Sequence, residues 1–306
     1  MTSHPQPFLN PDPEYTALAT AAAVILPLPY EGGVSYGAGT AAAPAAVIAA
    51  SHQLEFYDEV LKAEPFRMGI ATVLPPRLPT DPAAVQEVVY RAARELLDRQ
   101  KFVVPIGGDH SVSAPFARAL KGVHGNLSVI QLDAHADLRD SYEESRFSHA
   151  CAMARIRETT TATLQLGIRS MSVEEARLIE RENLALCTMS AYRTGAFDLD
   201  AALARLPDPV FVTIDVDAFD WSVIRSTGTP EPGGFTWEEA LHLLDKIFAR
   251  KNVVAFDVVE LSAAPHDLNS PFAVAKLVYK LLGFKLAAAV RRKSLPWPRK
   301  PIGTMF

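Results

Sequence analysis

Short, mainly apolar runs alternate along this chain with segments of helical periodicity, and this alternation constrains the fold more than any other feature. Such runs indicate strands that are buried on both faces. The sequence predicts eight of them, at Ala22–Leu28, Gly69–Leu74, Phe102–Ile106, Leu127–Leu132, Thr163–Ile168, Leu184–Thr188, Val210–Val216 and Val253–Val259. Amphipathic segments lie between them, among them Asp81–Arg99, Ser172–Asn183 and Thr236–Arg250. Strands that alternate with helices form βαβ units, so the predicted fold is a three-layer α/β/α sandwich around one mostly parallel sheet of about eight strands.

The chain is predicted to be one domain preceded by an arm. Its 306 residues are enough for one large domain or two ordinary ones, at roughly 150 residues per domain. No internal repeat or low-complexity linker divides it. Residues 1–13 contain four prolines and are expected to lie on the surface. We therefore divide the chain into an N-terminal arm, residues 1–20, and a single domain, residues 21–306.

Composition and charge exclude several classes of protein. Lys and Arg number 30 and Asp and Glu 35, so the net charge is −5 and no basic surplus is present for a nucleic acid. No run reaches the roughly 20 apolar residues of a membrane span. The apolar run from Ala17 to Leu28 has no basic residue before it, unlike a signal peptide. Two cysteines cannot form a disulfide framework, so a cytoplasmic location is expected.

Acidic residues and histidines follow four of the predicted strands. In chain order these strands lead into His110; into Asp133, His135 and Asp137; into Asp215 and Asp217; and into Glu260. Because the carboxyl ends of parallel strands share one edge of a sheet, these side chains are expected to meet. A hydrogen-bonded polar cluster could explain one Asp-x-Asp motif. Several such motifs at buried strand ends would be very costly unless the groups bind metal.

The first six of these residues favour a pair of manganese ions. They comprise four carboxylates and two imidazoles, too rich a set for one catalytic zinc, which usually takes three protein ligands. Ligation dominated by oxygen, with some imidazole, favours Mn²⁺ or a related ion. Since carboxylates can bridge, two ions per chain are expected, and a water that they share would become hydroxide near neutral pH.

The charge of this site restricts the substrate. Two divalent ions, four carboxylates and a shared hydroxide leave a net charge of about −1, which Glu260 lowers to about −2. Such a site attracts a cation, and a guanidinium could pair with Glu260 through its planar fork of donors. Asp137, the candidate ligand nearest in sequence to the following loop, could relay a proton. His149, in the loop after Asp137, could exchange protons with water, with a surface or capping role as the alternative.

Together these motifs resemble the three signatures of the arginase/agmatinase (ureohydrolase) family. They are Gly107-Gly108-Asp109-His110-Ser111, Asp133-Ala134-His135-Ala136-Asp137 and Asp215-Val216-Asp217. The resemblance continues through Gly32–Tyr36, Ser226–Gly234 and Val258–Leu261, and covers nearly the whole chain from about residue 22.

The resemblance implies that residues 21–306 are a ureohydrolase catalytic domain with an arginase-like fold and a dinuclear manganese centre on the six ligands His110, Asp133, His135, Asp137, Asp215 and Asp217. It implies hydrolysis of a guanidino compound to urea and an amine, in homotrimers or homohexamers. The family's catalytic histidine corresponds to His149, and its guanidinium-binding glutamate corresponds to Glu260.

The sequence motifs indicate the family more specifically than they indicate the substrate. Ser226–Gly234 and the Ser148-His149 pair are more similar to agmatinases than to arginases, although many agmatinases have Gly where this chain has Ala150. Agmatine, hydrolysed to urea and putrescine in polyamine biosynthesis, is therefore the first expectation. Arginases place an amide-bearing residue soon after the Asp-x-His-x-Asp motif. Here Leu138-Arg139-Asp140 follows that motif, which weakens the case for arginine.

Arg139 is a candidate substrate-binding residue and keeps other substrates open. It would suit a carboxylate tail, as in guanidinobutyrate or formiminoglutamate. If it points to solvent instead, a cationic tail could bind near Asp140, Glu143 or Glu144, which suits agmatine or aminopropylagmatine. A third hypothesis is a non-catalytic relative that uses the fold as a binding module, and the complete set of six ligands argues against it.

Overall fold

The computed structural model describes residues 6–264 and 266–292, and one sheet of eight parallel strands forms its centre. The strands are β1 (Ala23–Leu28), β2 (Ile70–Thr72), β3 (Phe102–Gly107), β4 (Ser128–Leu132), β5 (Thr163–Ile168), β6 (Leu186–Thr188), β7 (Val210–Asp215) and β8 (Val253–Val259). Their order in the sheet is β2-β1-β3-β8-β7-β4-β5-β6. Each strand agrees with a predicted run to within two residues at either end, so the predicted sheet is confirmed.

Helices cover both faces of the sheet. They are α1 (Ala43–Ser51), α2 (Pro82–Leu97), α3 (Ser113–His124), α4 (Ala152–Thr159), α5 (Val173–Glu182), α6 (Met189–Arg193), α7 (Leu199–Arg205), α8 (Trp237–Arg250) and α9 (Asn269–Arg292). Alternate residues of β1 face opposite layers: Ile25 belongs to the core that includes residues of α1, α8 and α9, whereas Val24 and Leu26 belong to the core that includes residues of α2, α3 and α4. The three-layer sandwich is therefore confirmed.

Helix starts follow from local sequence. Ser172 accepts a hydrogen bond from the backbone of Glu175, whose side chain accepts one from the Ser172 backbone, and this capping box begins α5. Thr236 and Glu239 form the same arrangement at the start of α8. Within the described ranges, no helix is both long enough and apolar enough to cross a membrane.

The strand order determines where the polar strand ends lie. β3, β8, β7 and β4 are neighbours at the centre of the sheet, and these are the four strands that the sequence predicts to end in acids and histidines. All of the pairings are parallel, so the carboxyl ends of these strands meet at one edge. Ligands of open α/β sheets bind at such an edge.

Part of the N-terminal arm is buried, contrary to the expected surface position of residues 1–13. Phe8 and Leu9 are buried in the core on the α1 side of the sheet. Phe8 N donates to Thr72 Oγ1 at 2.8 Å and Leu9 N donates to Ser51 Oγ at 2.8 Å. The prolines determine the backbone shape of the arm, but burying two large apolar side chains stabilises its docked position. Residues 1–5 of the predicted arm, and residues 265 and 293–306 of the predicted domain, lie outside the described residues.

Candidate metal centre and active site

The six predicted metal ligands meet at the carboxyl edge of the four central strands. Their ligand atoms include two groups, His110 with Asp133 and Asp137, and Asp133 with His135 and Asp217. Within each group these atoms lie within 4.8 Å of one another. Because Asp133 belongs to both groups, the arrangement suits two adjacent ions that share one carboxylate.

Hydrogen bonds behind the site orient the His110 ring. His110 Nε2 lies 2.9 Å from Thr213 Oγ1, and Thr213 donates to Ser113 Oγ at 3.3 Å. Ser113 in turn donates to Asp257 Oδ2 at 2.6 Å. Because the buried Asp257 carboxylate accepts at the end of this chain, each hydroxyl donates towards it, and Nε2 carries a proton. Metal-binding histidines typically donate from their second nitrogen to the protein in this way.

The other nitrogen of this ring, His110 Nδ1, faces three carboxylates. It lies 3.1 Å from Asp137 Oδ2, 3.2 Å from Asp133 Oδ2 and 3.4 Å from Asp215 Oδ2. It has no hydrogen-bond partner among the described residues. Burial lowers the pKa of His110, but the three carboxylates outweigh burial and raise that pKa well above its usual value. The position therefore requires positive charge, and a divalent cation would satisfy the nitrogen and the oxygens together.

The crowded carboxylates support the same conclusion. Burial raises the pKa of Asp137 to about 6, and the charge of Asp133 adds to this effect. Burial, with the charges of Asp217 and Asp133, also raises the pKa of Asp215 well above its usual value. Asp217 Oδ2 is buried, has no hydrogen bond of good geometry in the described part of the chain, and lies 2.9 Å from His135 Nδ1. Cations would relieve this repulsion and satisfy that oxygen.

Two buried glutamines hold the shared carboxylate, and sequence reasoning missed them. Gln131 Nε2 donates to Asp133 Oδ2 at 2.6 Å. Gln165 Nε2 donates to Gln131 Oε1 at 2.5 Å and to Ala136 O at 2.7 Å. Gln131 lies two residues before Asp133 and points to the same side, so a polar residue at that spacing in a mainly apolar run was the available signal.

Glu260 lies beside the metal ligands with one oxygen free. Its Oε1 accepts a hydrogen bond from His110 N at 2.7 Å and lies 3.2 Å from His149 Nδ1. Its Oε2 is buried and has no hydrogen-bond partner within residues 6–264 and 266–292. The φ angles of Glu260 and Asp137 are +67° and +53°, a left-handed conformation that costs energy for residues other than glycine. A carboxylate oxygen without a partner, on a strained backbone, can receive a cationic donor.

His149 is buried between Glu260 and a loop of the N-terminal part of the chain. Its Nε2 lies 2.8 Å from Ser35 Oγ, and its side chain is 10% exposed. Burial lowers the pKa of His149, but its contact with Glu260 and the charges of Asp137 and Asp109 outweigh burial and raise it to about 9. The surface role that the sequence left open does not fit this burial.

Asp109 holds the loop at residues 30–39 against the end of β3, and it is a further residue whose role the sequence did not assign. Its Oδ2 accepts from Gly33 N at 2.7 Å, and its Oδ1 accepts from the backbone and hydroxyl of Ser111. Gly108 is required at this crossing, because a Cβ atom there would lie 1.8 Å from Tyr30 O. Burial raises the pKa of Asp109 to about 6, and the charge of Glu260 contributes.

Arg139 has one partner on its own loop and one on α5. Its guanidinium lies over the Tyr142 ring, 5.0 Å from the centroid, and its Nε lies 3.9 Å from Glu175 Oε2. Its side chain is 38% exposed. Binding of substrate by Arg139 stays a prediction, and these contacts favour a structural role in which the arginine packs against the loop.

The fold and the site together define a class of enzyme. The Arginase family model matches residues 21–283, which is most of the chain. The chain therefore belongs to the arginase family and is a ureohydrolase.

Particular relatives are named for two reactions. The N(1)-aminopropylagmatine ureohydrolase of a Synechocystis species is 39% identical over 92% of this chain and 95% of its own. The agmatinase of Pyrococcus horikoshii is 34% identical over 85% of this chain and 90% of its own. The agmatine ureohydrolase of Thermoplasma volcanium, a solved structure, shares the fold with a TM-score of 0.84 at 22% identity, covering 96% of this chain and 98% of that one.

Proposed function

We propose that this enzyme hydrolyses a guanidinium with a cationic tail, N(1)-aminopropylagmatine or agmatine, to urea and the corresponding amine. The observation that carries the proposal is the free, buried Oε2 of Glu260 beside two groups of candidate metal ligands. A guanidinium stays protonated at neutral pH and offers the donors that this oxygen lacks. The name of the Synechocystis relative favours the aminopropyl compound over agmatine, which was the first expectation from the sequence.

We propose two Mn²⁺ ions per chain as the cofactor. Asp133 would be shared, His110, Asp137 and Asp215 would complete one set of ligands, and His135 and Asp217 would complete the other. When bound, two such ions would lower the pKa of a shared water far enough to make hydroxide available near neutral pH. Four carboxylates with two imidazoles are a donor set that Mn²⁺ accepts.

The remaining chemistry belongs to residues of this chain. Glu260 holds the guanidinium so that its carbon faces the attacking water, which reduces the entropy cost of the reaction. The amine must leave protonated, because an amide anion is too basic to expel. Asp137 is the candidate ligand nearest in sequence to the loop that leads to His149 and relays that proton, and His149 exchanges protons between the site and water.

The loop between Asp137 and His149 supports a cationic tail. Tyr142 and Ser145 pair through backbone hydrogen bonds of 2.9 and 3.0 Å, which makes residues 143–144 the tip of a hairpin. Glu143 and Glu144 at this tip are exposed. Two acids at the tip, with Arg139 packed against its own loop, favour a tail that carries ammonium over one that carries carboxylate.

A substrate panel tests the proposal. The enzyme, loaded with Mn²⁺, is incubated with aminopropylagmatine, agmatine, arginine, guanidinobutyrate and formiminoglutamate, and urea or formamide is measured. We expect the highest kcat/KM for one of the two substrates with cationic tails. A higher kcat/KM for guanidinobutyrate or formiminoglutamate would contradict the cationic tail and indicate that Arg139 binds a carboxylate tail. Absence of both products from every substrate would leave the non-catalytic binding module as the better explanation.

Replacing His149 with Ala is expected to lower kcat by about 100-fold while both metal ions stay bound, because proton transfer by a positioned histidine contributes about that much. Small imidazole bases should partly restore kcat. Metal analysis and rescue kinetics measure the two effects. Loss of metal from this variant would make His149 a ligand, and unchanged kcat would exclude it from proton transfer.

We also propose a closed symmetric oligomer, a homotrimer or homohexamer, in the cytoplasm. The assembly is the one that the family resemblance implies, and soluble oligomers commonly close by rotational symmetry. Both cysteines are free and buried, which is compatible with a reducing compartment. Light scattering at micromolar concentration should give three or six times the 33.3 kDa chain mass, and a strictly monomeric mass would contradict the assembly.

A further inference from the structure

The Ser35 hydroxyl contacts the His149 ring at Nε2. The ring is 10% exposed, its Nδ1 faces Glu260, and its Nε2 lies 2.8 Å from Ser35 Oγ. Ser35 itself is partly exposed, and the next residue, Tyr36, is 85% exposed. The Ser35 hydroxyl is therefore placed to pass a proton between Nε2 and water.

We propose that Ser35 is a positioning residue and proton relay for His149, an inference that rests on the proposed hydrolysis. A hydroxyl accepts from an imidazolium and donates to a neutral imidazole, so one contact serves both protonation states. When His149 is charged, Ser35 Oγ takes the Nε2 proton and passes its own proton to water. The ring keeps the proton on Nδ1, the serine remains neutral, and the water becomes hydronium. The same transfers in the opposite direction return a proton from water to Nε2 and restore the imidazolium.

Backbone hydrogen bonds hold the segments of Ser35 and His149 together and so maintain the contact between the two side chains. His149 N donates to Gly33 O at 3.1 Å, and Ser148 Oγ donates to the same oxygen at 3.2 Å. A Cβ atom on Gly33 would lie 2.9 Å from His149 N, so only glycine allows this approach. Asp109 holds Gly33 from the other side. The loop that carries Ser35 and the segment that carries His149 therefore form one unit.

The charges around the ring give the hydroxyl a specific role. Glu260 after β8, Asp137 after β4 and Asp109 after β3 each place negative charge near His149. All three carboxylates stabilise the protonated His149 ring and therefore oppose release of its proton. The neutral Ser35 hydroxyl at Nε2 can accept this proton and pass another to water, so no charged acceptor is needed at Nε2. Removing this hydroxyl should therefore slow proton release more than it weakens substrate binding.

The kinetic test compares three variants of the full-length enzyme loaded with Mn²⁺. We expect Ser35→Ala to lower kcat by about 10- to 100-fold with KM and metal content unchanged, and added imidazole to restore part of it. Ser35→Thr keeps the hydroxyl and should retain most of kcat. Ser262→Ala is the matched control, because Ser262 Oγ donates to Ala38 O of the same loop without touching His149. An equal loss in Ser262→Ala, or an unchanged kcat and pH profile in Ser35→Ala, would overturn the relay.

A second measurement does not depend on turnover. Diethyl pyrocarbonate acylates exposed imidazole nitrogens, and peptide mass spectrometry resolves the rate at His149 as a function of pH. In metal-free protein, Ser35→Ala should raise that rate several-fold by uncovering Nε2, and Ser262→Ala should leave it unchanged. Equal rates in wild type and Ser35→Ala would refute the positioning role. Absence of urea from wild type would instead overturn the proposed function and the relay with it, so the two failures are distinguishable.

Discussion

Asp133→Asn is expected to abolish the metal centre and with it turnover. Asp133 is the residue shared by both groups of candidate ligands. The substitution keeps the size of the side chain but removes the charge that would neutralise two adjacent cations. Because bound metal is worth several kcal/mol of transition-state stabilisation, kcat should fall by about 1,000-fold or more. Metal analysis after gel filtration should show fewer than two ions per chain, and urea release measures kcat.

Asp220→Asn is the matched control for this experiment. Asp220 lies three residues after Asp217 in the same loop and accepts hydrogen bonds from Ser222. It belongs to neither group of ligands, so its variant should keep both ions and ordinary turnover. Wild-type metal content and activity in Asp133→Asn would contradict the shared ligand and therefore the dinuclear site.

Much of the fold was predictable because this sheet is buried on both faces. The strand Ala23–Leu28, for example, has a wholly apolar sequence, and all six of its residues are buried. The polar groups at strand ends were equally visible, because Asp133 and its neighbours interrupt apolar runs abruptly. Parallel strands then imply that these ends share one edge. The convergence of these side chains could therefore be predicted before the order of the strands was known.

Contacts that depend on strand order or on distant loops could not be predicted. β8 lies between β3 and β7, and this insertion places Glu260 against His110, 150 residues earlier in the chain. Ser35 meets His149 across 114 residues, and no periodicity connects them. Thr213, whose hydroxyl contacts His110, lies within a mainly apolar predicted strand. The sequence of that strand does not indicate which residue the hydroxyl contacts.

Burial of the arm was missed for a related reason. Four prolines in residues 1–13 indicate an irregular backbone, and irregular segments usually lie on the surface. Two apolar side chains, Phe8 and Leu9, were the signal for docking, since exposing both would leave considerable apolar area in water. The prolines correctly indicated an irregular backbone, but burial of Phe8 and Leu9 determines where the arm lies.

Glu260→Gln is expected to lower kcat/KM by about 30- to 5,000-fold, because removing one charge from a buried ion pair costs about 2–5 kcal/mol. Gln keeps the length of the side chain and an oxygen that can accept from His110 N. It loses the charge and places an NH₂ group or a weaker acceptor where the guanidinium donates. Both metal ions should remain, which separates this variant from Asp133→Asn.

Glu260→Asp completes the comparison by keeping the charge and shortening the side chain. It tolerates the left-handed φ of +67° at this position, so the backbone need not rearrange. We expect an intermediate loss of kcat/KM, since the ion pair survives but the reacting carbon is displaced from its aligned position. If Glu260→Gln loses metal, Glu260 is a ligand and the substrate must be held elsewhere. If Gln and Asp are equally active, charge does not hold the guanidinium, and hydrogen bonding alone orients the substrate.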